Sequence, residues 1–174
     1  MERRRGDKES LRKLKSVVTD VDGVLTNAIK FYGNEGLALL GFNVRDGLGL
    51  HLLKMAGISL AFVTTTESPV IARRAADLGI HDVFQNVHDK GATLRAYRDH
   101  HSFSQEDILY VGDDLWDLEA FAEVGVRVAV ADAALAVRNA ADWITASRGG
   151  EGALREVADA ILQARGVDPR GLLR

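Results

Sequence analysis

The sequence predicts an α/β protein: a doubly wound parallel sheet flanked by helices, with a β-hairpin flap after the first strand and no cap domain. Two observations carry that reading. Short runs rich in β-branched and apolar residues alternate along the chain with segments of helical pattern, the order that lays parallel strands between covering helices. The 174 residues suffice for one domain with a sizeable core, and apart from the hairpin every linker is only a few residues long.

The elements follow in order. Residues 1–15 begin Met1-Glu2-Arg3-Arg4-Arg5-Gly6-Asp7-Lys8, charged and with no apolar stretch behind it, so they read as a frayed, solvated arm and not as a secretory signal. Ser16–Val21 is the first strand. Ala28–Tyr32 and Leu37–Phe42 flank Gly33-Asn34-Glu35-Gly36, a β-hairpin signal over 28–42. Leu48–Met55 is helical and stops at Ala56-Gly57, a C-terminal glycine signal. Ile58–Thr64 is a strand. Ser68 followed by Pro69 pairs an N-cap with proline at the first helical position, opening a helix to about Leu78-Gly79. A short strand near Val83–Phe84 precedes Asp89, which caps a helix from Lys90 to about His100. Strands at Ile108–Val111 and Val126–Val130 and helices at Leu115–Glu123, Ala133–Ala140 and Ala153–Arg165 complete a domain spanning 16–165, with 166–174 as a tail.

Composition narrows the function classes. Hydrophobic residues are 47% and charged residues 27%, an ordinary globular balance, and the net charge of -3 argues against a nucleic-acid binder, which would carry a basic excess. The absence of cysteine removes disulfides, thiolate metal sites and cysteine nucleophiles together, and is compatible with the cytoplasm. No apolar run approaches the roughly 20 residues that span a bilayer.

The chemistry concentrates in Ser16-Val17-Val18-Thr19-Asp20-Val21-Asp22-Gly23-Val24-Leu25-Thr26. Two carboxylates close an apolar strand. Burying them is costly unless a cation or a reaction uses them, and ligands of open α/β sheets bind at that end of the strands. The same D-x-D spacing occurs in solvated turns and calcium loops. Three further segments sharpen it: Ala61-Phe62-Val63-Thr64 ends a strand with a hydroxyl, Lys90 opens a helix, and Val111-Gly112-Asp113-Asp114-Leu115-Trp116-Asp117 follows another strand. Each is weak alone; in this order they are jointly specific.

Together these motifs resemble those of the haloacid-dehalogenase-like phosphatases, and the resemblance covers residues 16 to 165. It implies a phosphate monoesterase working through a phosphoaspartyl intermediate, with Asp20 as nucleophile and Asp22 as general acid and then base. Two carboxylates and a phosphate dianion require a divalent cation, and all-oxygen ligands favour Mg²⁺. The resemblance assigns its ligands as the Asp20 carboxylate, the Asp22 carbonyl and Asp113, with Asp114 direct or through water and Asp117 orienting the others. Thr64, Thr65 and Lys90 would hold the phosphoryl oxygens.

Two more segments, Phe42-Asn43-Val44-Arg45-Asp46-Gly47-Leu48-Gly49 and Arg148-Gly149-Gly150-Glu151-Gly152-Ala153-Leu154-Arg155-Glu156, resemble signatures of one uncapped branch of that family. That branch acts on 3-deoxy-D-manno-octulosonate 8-phosphate or on nonulosonate 9-phosphates, typically as homotetramers whose hairpins and C-terminal segments close a neighbour's site. Asn43, Arg45, Arg148 and Arg155 are the implied sugar-binding residues, although Asn43 also fits a helix cap. Two departures stand out: Thr66 replaces the charged residue the branch carries there, and Trp116 replaces an asparagine. The rival expectations are a phosphatase for another small phosphometabolite and a subunit that keeps the fold without turnover.

Overall fold

The structure, a computed structural model, describes residues 7–173, the side chains of Leu37 and Ala38 excepted. Six parallel strands form the central sheet. Strand β1 (Ser16–Thr19) lies in its middle, between β4 (Ser59–Val63) and β6 (Ile108–Gly112), with β5 (Asp82–Phe84) outside β4, and β7 (Val126–Ala129) and then β8 (Trp143–Ile144) outside β6. β1 is buried at every position and pairs Val18 with Ala61 on one side and Tyr110 on the other. Such a strand carries apolar residues on both faces, as the continuous run around Val17 and Val18 does. The chain winds outward from β1 to β4 and β5, then returns to β6 on the other side. The order therefore reverses between β1 and β6, where doubly wound sheets place their ligands.

Helices cover both faces. On one, α2 (Val44–Met55) packs against α3 (Pro69–Leu78) and α7 (Ala153–Arg165), with α1 (Lys8–Lys13) against α7; on the other, α5 (Asp117–Phe121) packs against α4 (Lys90–His101) and α6 (Leu135–Ala140). The capping chemistry is as expected: Ser68 accepts from Val70 N, Pro69 opens α3, and Gly79 ends it with φ 64°. No helix among the described residues is long and apolar enough to cross a membrane.

Several boundaries move. The expected frayed arm is helical over 8–13, because Leu11 and Leu14 are buried and Arg165 at the end of α7 bonds the Leu14 and Ala56 carbonyls; the first six residues of that arm lie outside the described residues. α2 begins four residues earlier than expected, at Val44, because Asn43 caps it. The helix expected over Leu115–Glu123 shrinks to α5, since 113–116 form a turn. β8 has no strand-length apolar pattern to announce it; it forms because Trp143 is buried beside β7.

The hairpin pairs β2 (Phe31–Gly33) with β3 (Gly36–Leu39) in antiparallel fashion, a shorter ladder than the 28–42 span suggested. Ile29, Phe31, Tyr32 and Leu39 are exposed on it, while Leu40 packs partly buried against the core.

Candidate active site

The C-terminal ends of β1, β4 and β6 deliver Asp20, Thr64 and Asp113 to one place. Asp20 follows β1 directly: its N–H still donates to the Val111 carbonyl at 3.0 Å, and its Oδ1 accepts from Val21 N at 2.6 Å. Lys90 enters from the first turn of α4, whose N-cap Asp89 accepts from Ala92 N. The Lys90 ammonium is buried, 3.0 Å from Asp20 Oδ2 and 2.7 Å from Asp117 Oδ1. Burial alone would lower its pKa, but Asp20 and Asp117 outweigh that and raise it, so the positive charge is locked in place.

Asp117 is the keystone of the β6 loop. Its buried carboxylate accepts four hydrogen bonds: Oδ1 from Lys90 Nζ and the Tyr110 hydroxyl, each at 2.7 Å, and Oδ2 from Asp113 N at 2.7 Å and Asp114 N at 3.2 Å. These fill its roughly four acceptor positions. Asp117 therefore fixes the turn that presents Asp113 and has no free lone pair for a metal, even though oxygens of Asp20, Asp113 and Asp117 lie within 4.8 Å of one another.

The remaining geometry fits a divalent cation. Asp113 Oδ1 is buried with no hydrogen-bond partner among the described residues. Burial, then the Asp117 charge, pushes the Asp20 carboxyl up to about 7; burial, then the Asp20 and Asp117 charges, pushes Asp113 up to about 8. Three carboxylates against the single Lys90 ammonium leave the cluster short of positive charge. Gly23 lets the Asp113 carboxylate come up against the nucleophile turn: its φ of 91° is in the left-handed region, and a Cβ there would stand 2.0 Å from Asp113 Oδ2. Asp114, an expected ligand, is not drawn in; it is exposed, with Oδ1 turned to Leu115 N at 2.7 Å. Among the described residues no histidine joins the cluster.

Asp22 stands at the mouth. Its Oδ2 accepts from the Thr66 hydroxyl at 2.5 Å and lies 3.0 Å from Lys30 Nζ, while its Oδ1 is buried without a hydrogen-bond partner among the described residues. Lys30 also donates to Thr66 Oγ1 at 2.6 Å. Thr64 is buried behind this group, its Oγ1 accepting from Thr66 N at 3.2 Å, and Thr65 follows, half-buried.

The four expected sugar-binding residues separate. Asn43 is committed to structure: its Oδ1 caps α2 at Arg45 N, and its Nδ2 donates to the Gly150 carbonyl at 3.2 Å. Arg45 and Arg155 line a groove of about 440 Å³ with Glu151, Glu156 and Asp159, and none of the site carboxylates lines it. Arg155 is moreover paired with Asp159 at 2.9 Å. Only Arg148 stays close, on the loop that covers the nucleophile turn; a Cβ at neighbouring Gly149 would come within 1.8 Å of the Gly23 carbonyl. Arg148 itself pairs with Asp132 at 3.2 Å. Asp46, not singled out from sequence, ties the two signature segments together: buried in the first turn of α2, it accepts from Gly152 N and Arg155 N and so caps α7, whose own N-cap is the side-chain-less Gly152. Trp116 is half-exposed, its ring edge-on to His88 at 6.3 Å.

Residues 65–157 match the haloacid dehalogenase-like hydrolase family. The chain is 43% identical over 158 residues to the 3-deoxy-D-manno-octulosonate 8-phosphate phosphatase KdsC of Haemophilus influenzae, covering 91% of this chain and 88% of that one. It is 37% identical to the Escherichia coli K12 protein of the same name, over 88% of this chain and 81% of that one. Among solved structures, the cobalt-bound H. influenzae phosphatase superposes with a TM-score of 0.91 at 41% identity, covering 95% of this chain and 99% of that one. The Moraxella catarrhalis phosphatase, solved with magnesium, phosphate and KDO, superposes with a TM-score of 0.89 at 37% identity, covering 91% of each chain. With the carboxylate pair after β1, the buried lysine and the Asp113–Asp117 turn all assembled at the sheet's switch point, the chain belongs to the haloacid dehalogenase-like hydrolase family.

Proposed function

We propose that the protein is a Mg²⁺-dependent phosphatase that hydrolyses a sugar-acid phosphate monoester of the 3-deoxy-D-manno-octulosonate 8-phosphate type. One observation carries the chemistry: Asp20 is held between a buried ammonium and a cluster of carboxylates, with a second acid, Asp22, two residues on and offering a buried free oxygen. The likeness to phosphatases named for that substrate supports the substrate class.

Asp20, the Asp22 carbonyl and Asp113 would hold the ion. Bound there, Mg²⁺ offsets the negative charge gathered by the carboxylates and the phosphate. A carboxylate oxygen of Asp20 attacks phosphorus, and the bond from phosphorus to the sugar oxygen breaks as Asp22 donates a proton to that oxygen. Asp22 then takes a proton from a water whose oxygen attacks phosphorus, breaking the bond to Asp20 and freeing phosphate. Lys90 keeps Asp20 aimed and, with Thr64 and Thr65, offsets charge on the transferring phosphoryl group. The exposed apolar residues of the flap, Ile29, Phe31, Tyr32 and Leu39, support assembly of copies into a homotetramer that covers them.

The test is phosphate release from a panel containing 3-deoxy-octulosonate 8-phosphate, a nonulosonate 9-phosphate and p-nitrophenyl phosphate, with Mg²⁺ and with EDTA. Turnover should need Mg²⁺, favour a sugar acid and vanish in Asp20→Asn. Wild-type rates in that variant would exclude the phosphoaspartyl route, and a stable monomer in light scattering would exclude the shared assembly.

A further inference from the structure

We propose that Lys30 is a specificity-determining residue of this chain: carried on the flap, its ammonium receives the negatively charged sugar-acid portion of the substrate as that portion enters between flap and site. This rests on the sugar-acid reading above.

Position 66 is where the sequence departs from its branch by lacking a charge. The structure brings a cation beside position 66 from another part of the chain. Lys30 Nζ lies 2.6 Å from Thr66 Oγ1 and 3.0 Å from Asp22 Oδ2, although 36 residues separate Lys30 from Thr66. Among the described residues, no other basic side chain forms an ion pair with Asp22. Between the nucleophile turn and the flap lies Ala28, whose φ of 61° is uncommon for a residue with a side chain.

The two site lysines differ in a way that separates their roles. Lys90 has a side chain 1% exposed and is committed to two carboxylates. Lys30 is 28% exposed and Asp22 17%, so their pair lies where a ligand arrives. The pair is partly open to solvent, so a substrate carboxylate can reach the Lys30 ammonium there, whereas Lys90 is closed off. Thr66 suits an exchange of Asp22 for that carboxylate, since its hydroxyl accepts from Lys30 and donates to Asp22, steadying the ammonium while the partner changes. An ammonium also serves as a point charge able to follow a mobile anion.

The experiment compares kcat/KM for 3-deoxy-octulosonate 8-phosphate with that for p-nitrophenyl phosphate in the wild type, Lys30→Met, Lys30→Arg and the double variant Lys30→Met with Thr66→Arg. The ratio should fall about tenfold or more in Lys30→Met, chiefly through KM, as loss of a charge-assisted bond implies. Lys30→Arg should keep most of the ratio, and the double variant should regain much of it, because a guanidinium grown from position 66 reaches the same place. An unchanged ratio, or equal loss on both substrates without recovery in the double variant, overturns the proposal. Should Lys30→Met not fold, Lys30→Gln, which removes the charge and keeps a polar end, is read on the same ratio, and an unmoved ratio there overturns it equally. If the wild type shows no preference for a sugar acid, the sugar-acid reading fails by itself. Lys30 is then read on gluconate 6-phosphate against glucitol 6-phosphate, two open-chain compounds that differ at C1 by a carboxylate in place of a hydroxymethyl group, with the same criterion.

Discussion

Replacing Asp117 with asparagine keeps its shape and removes its charge, and so isolates what its four accepted bonds do. An asparagine oxygen serves either Lys90 and Tyr110 or the two N–H groups of Asp113 and Asp114, and its amide hydrogens then face the other pair of donors. Two bonds of about 1.5–3 kcal/mol each are lost, consistent with the roughly 3–5 kcal/mol that breaking a buried charge pair costs. At about 2–4 °C per kcal/mol for a chain of this size, metal-free Asp117→Asn should melt roughly 6–20 °C below the wild type. The loosened 113–116 turn presents Asp113 less well, so the Mg²⁺ concentration for half-maximal p-nitrophenyl phosphate hydrolysis should rise about 10–100-fold, with much of kcat returning at saturating Mg²⁺. An unchanged melting temperature with an unchanged Mg²⁺ midpoint would refute the bond accounting. An unchanged midpoint with kcat at background would instead place Asp117 on the reacting atoms.

Mg²⁺ dependence should itself depend on pH. The carboxyls of Asp20 and Asp113 are raised to about 7 and about 8, so the metal-free folded protein holds protons that the unfolded chain has released, and its stability falls as pH rises from about 4 to about 8. Mg²⁺ binds the deprotonated groups and offsets that loss, so its stabilising effect should grow across the window, and its apparent affinity should drop about tenfold or more from about pH 8 to about pH 6; a pH-independent Mg²⁺ midpoint would contradict this. Asp46→Ala should cost about 2 kcal/mol, as loss of a cap does at its upper end, and should raise amide exchange at Gly152 and Arg155; protection equal to wild type would show that Asp46 does not cap α7.

What the sequence disclosed and what it hid divide along one physical line. Asp20, Thr64, Lys90 and Asp113 were legible because each sits at the end of a strand or the start of a helix, so that local pattern sets both the element and the end at which the residue emerges. β1, β4, β6, α3 and α4 were legible for the same reason. The first-turn helix α1 was not, because six charged-flanked residues have no stability alone and owe their order to Leu11 and Leu14 packing near α7. β8 was hidden because two residues carry no period; only the register beside β7 makes them a strand.

The arginines expected to receive the sugar illustrate the same line within the site. Arg45 and Arg155 were grouped with the active site because their segments carry branch-like signatures, but signature membership fixes a segment's place, not the face its side chains use. Asn43 and Asp46 turn inward to join α2 to the 150–155 turn, and that inward pairing sends Arg45 and Arg155 to a groove of their own. Lys30 is the converse case. Nothing local marks it, since a lysine within a hairpin arm reads as solvated, and its contact with Thr66 exists only once the flap has folded back over β4's end. The charge missing at position 66 was the only trace of it. A gap in a pattern can thus be filled by any element the fold brings within reach, and the flap is the element that follows the nucleophile turn most closely in the chain.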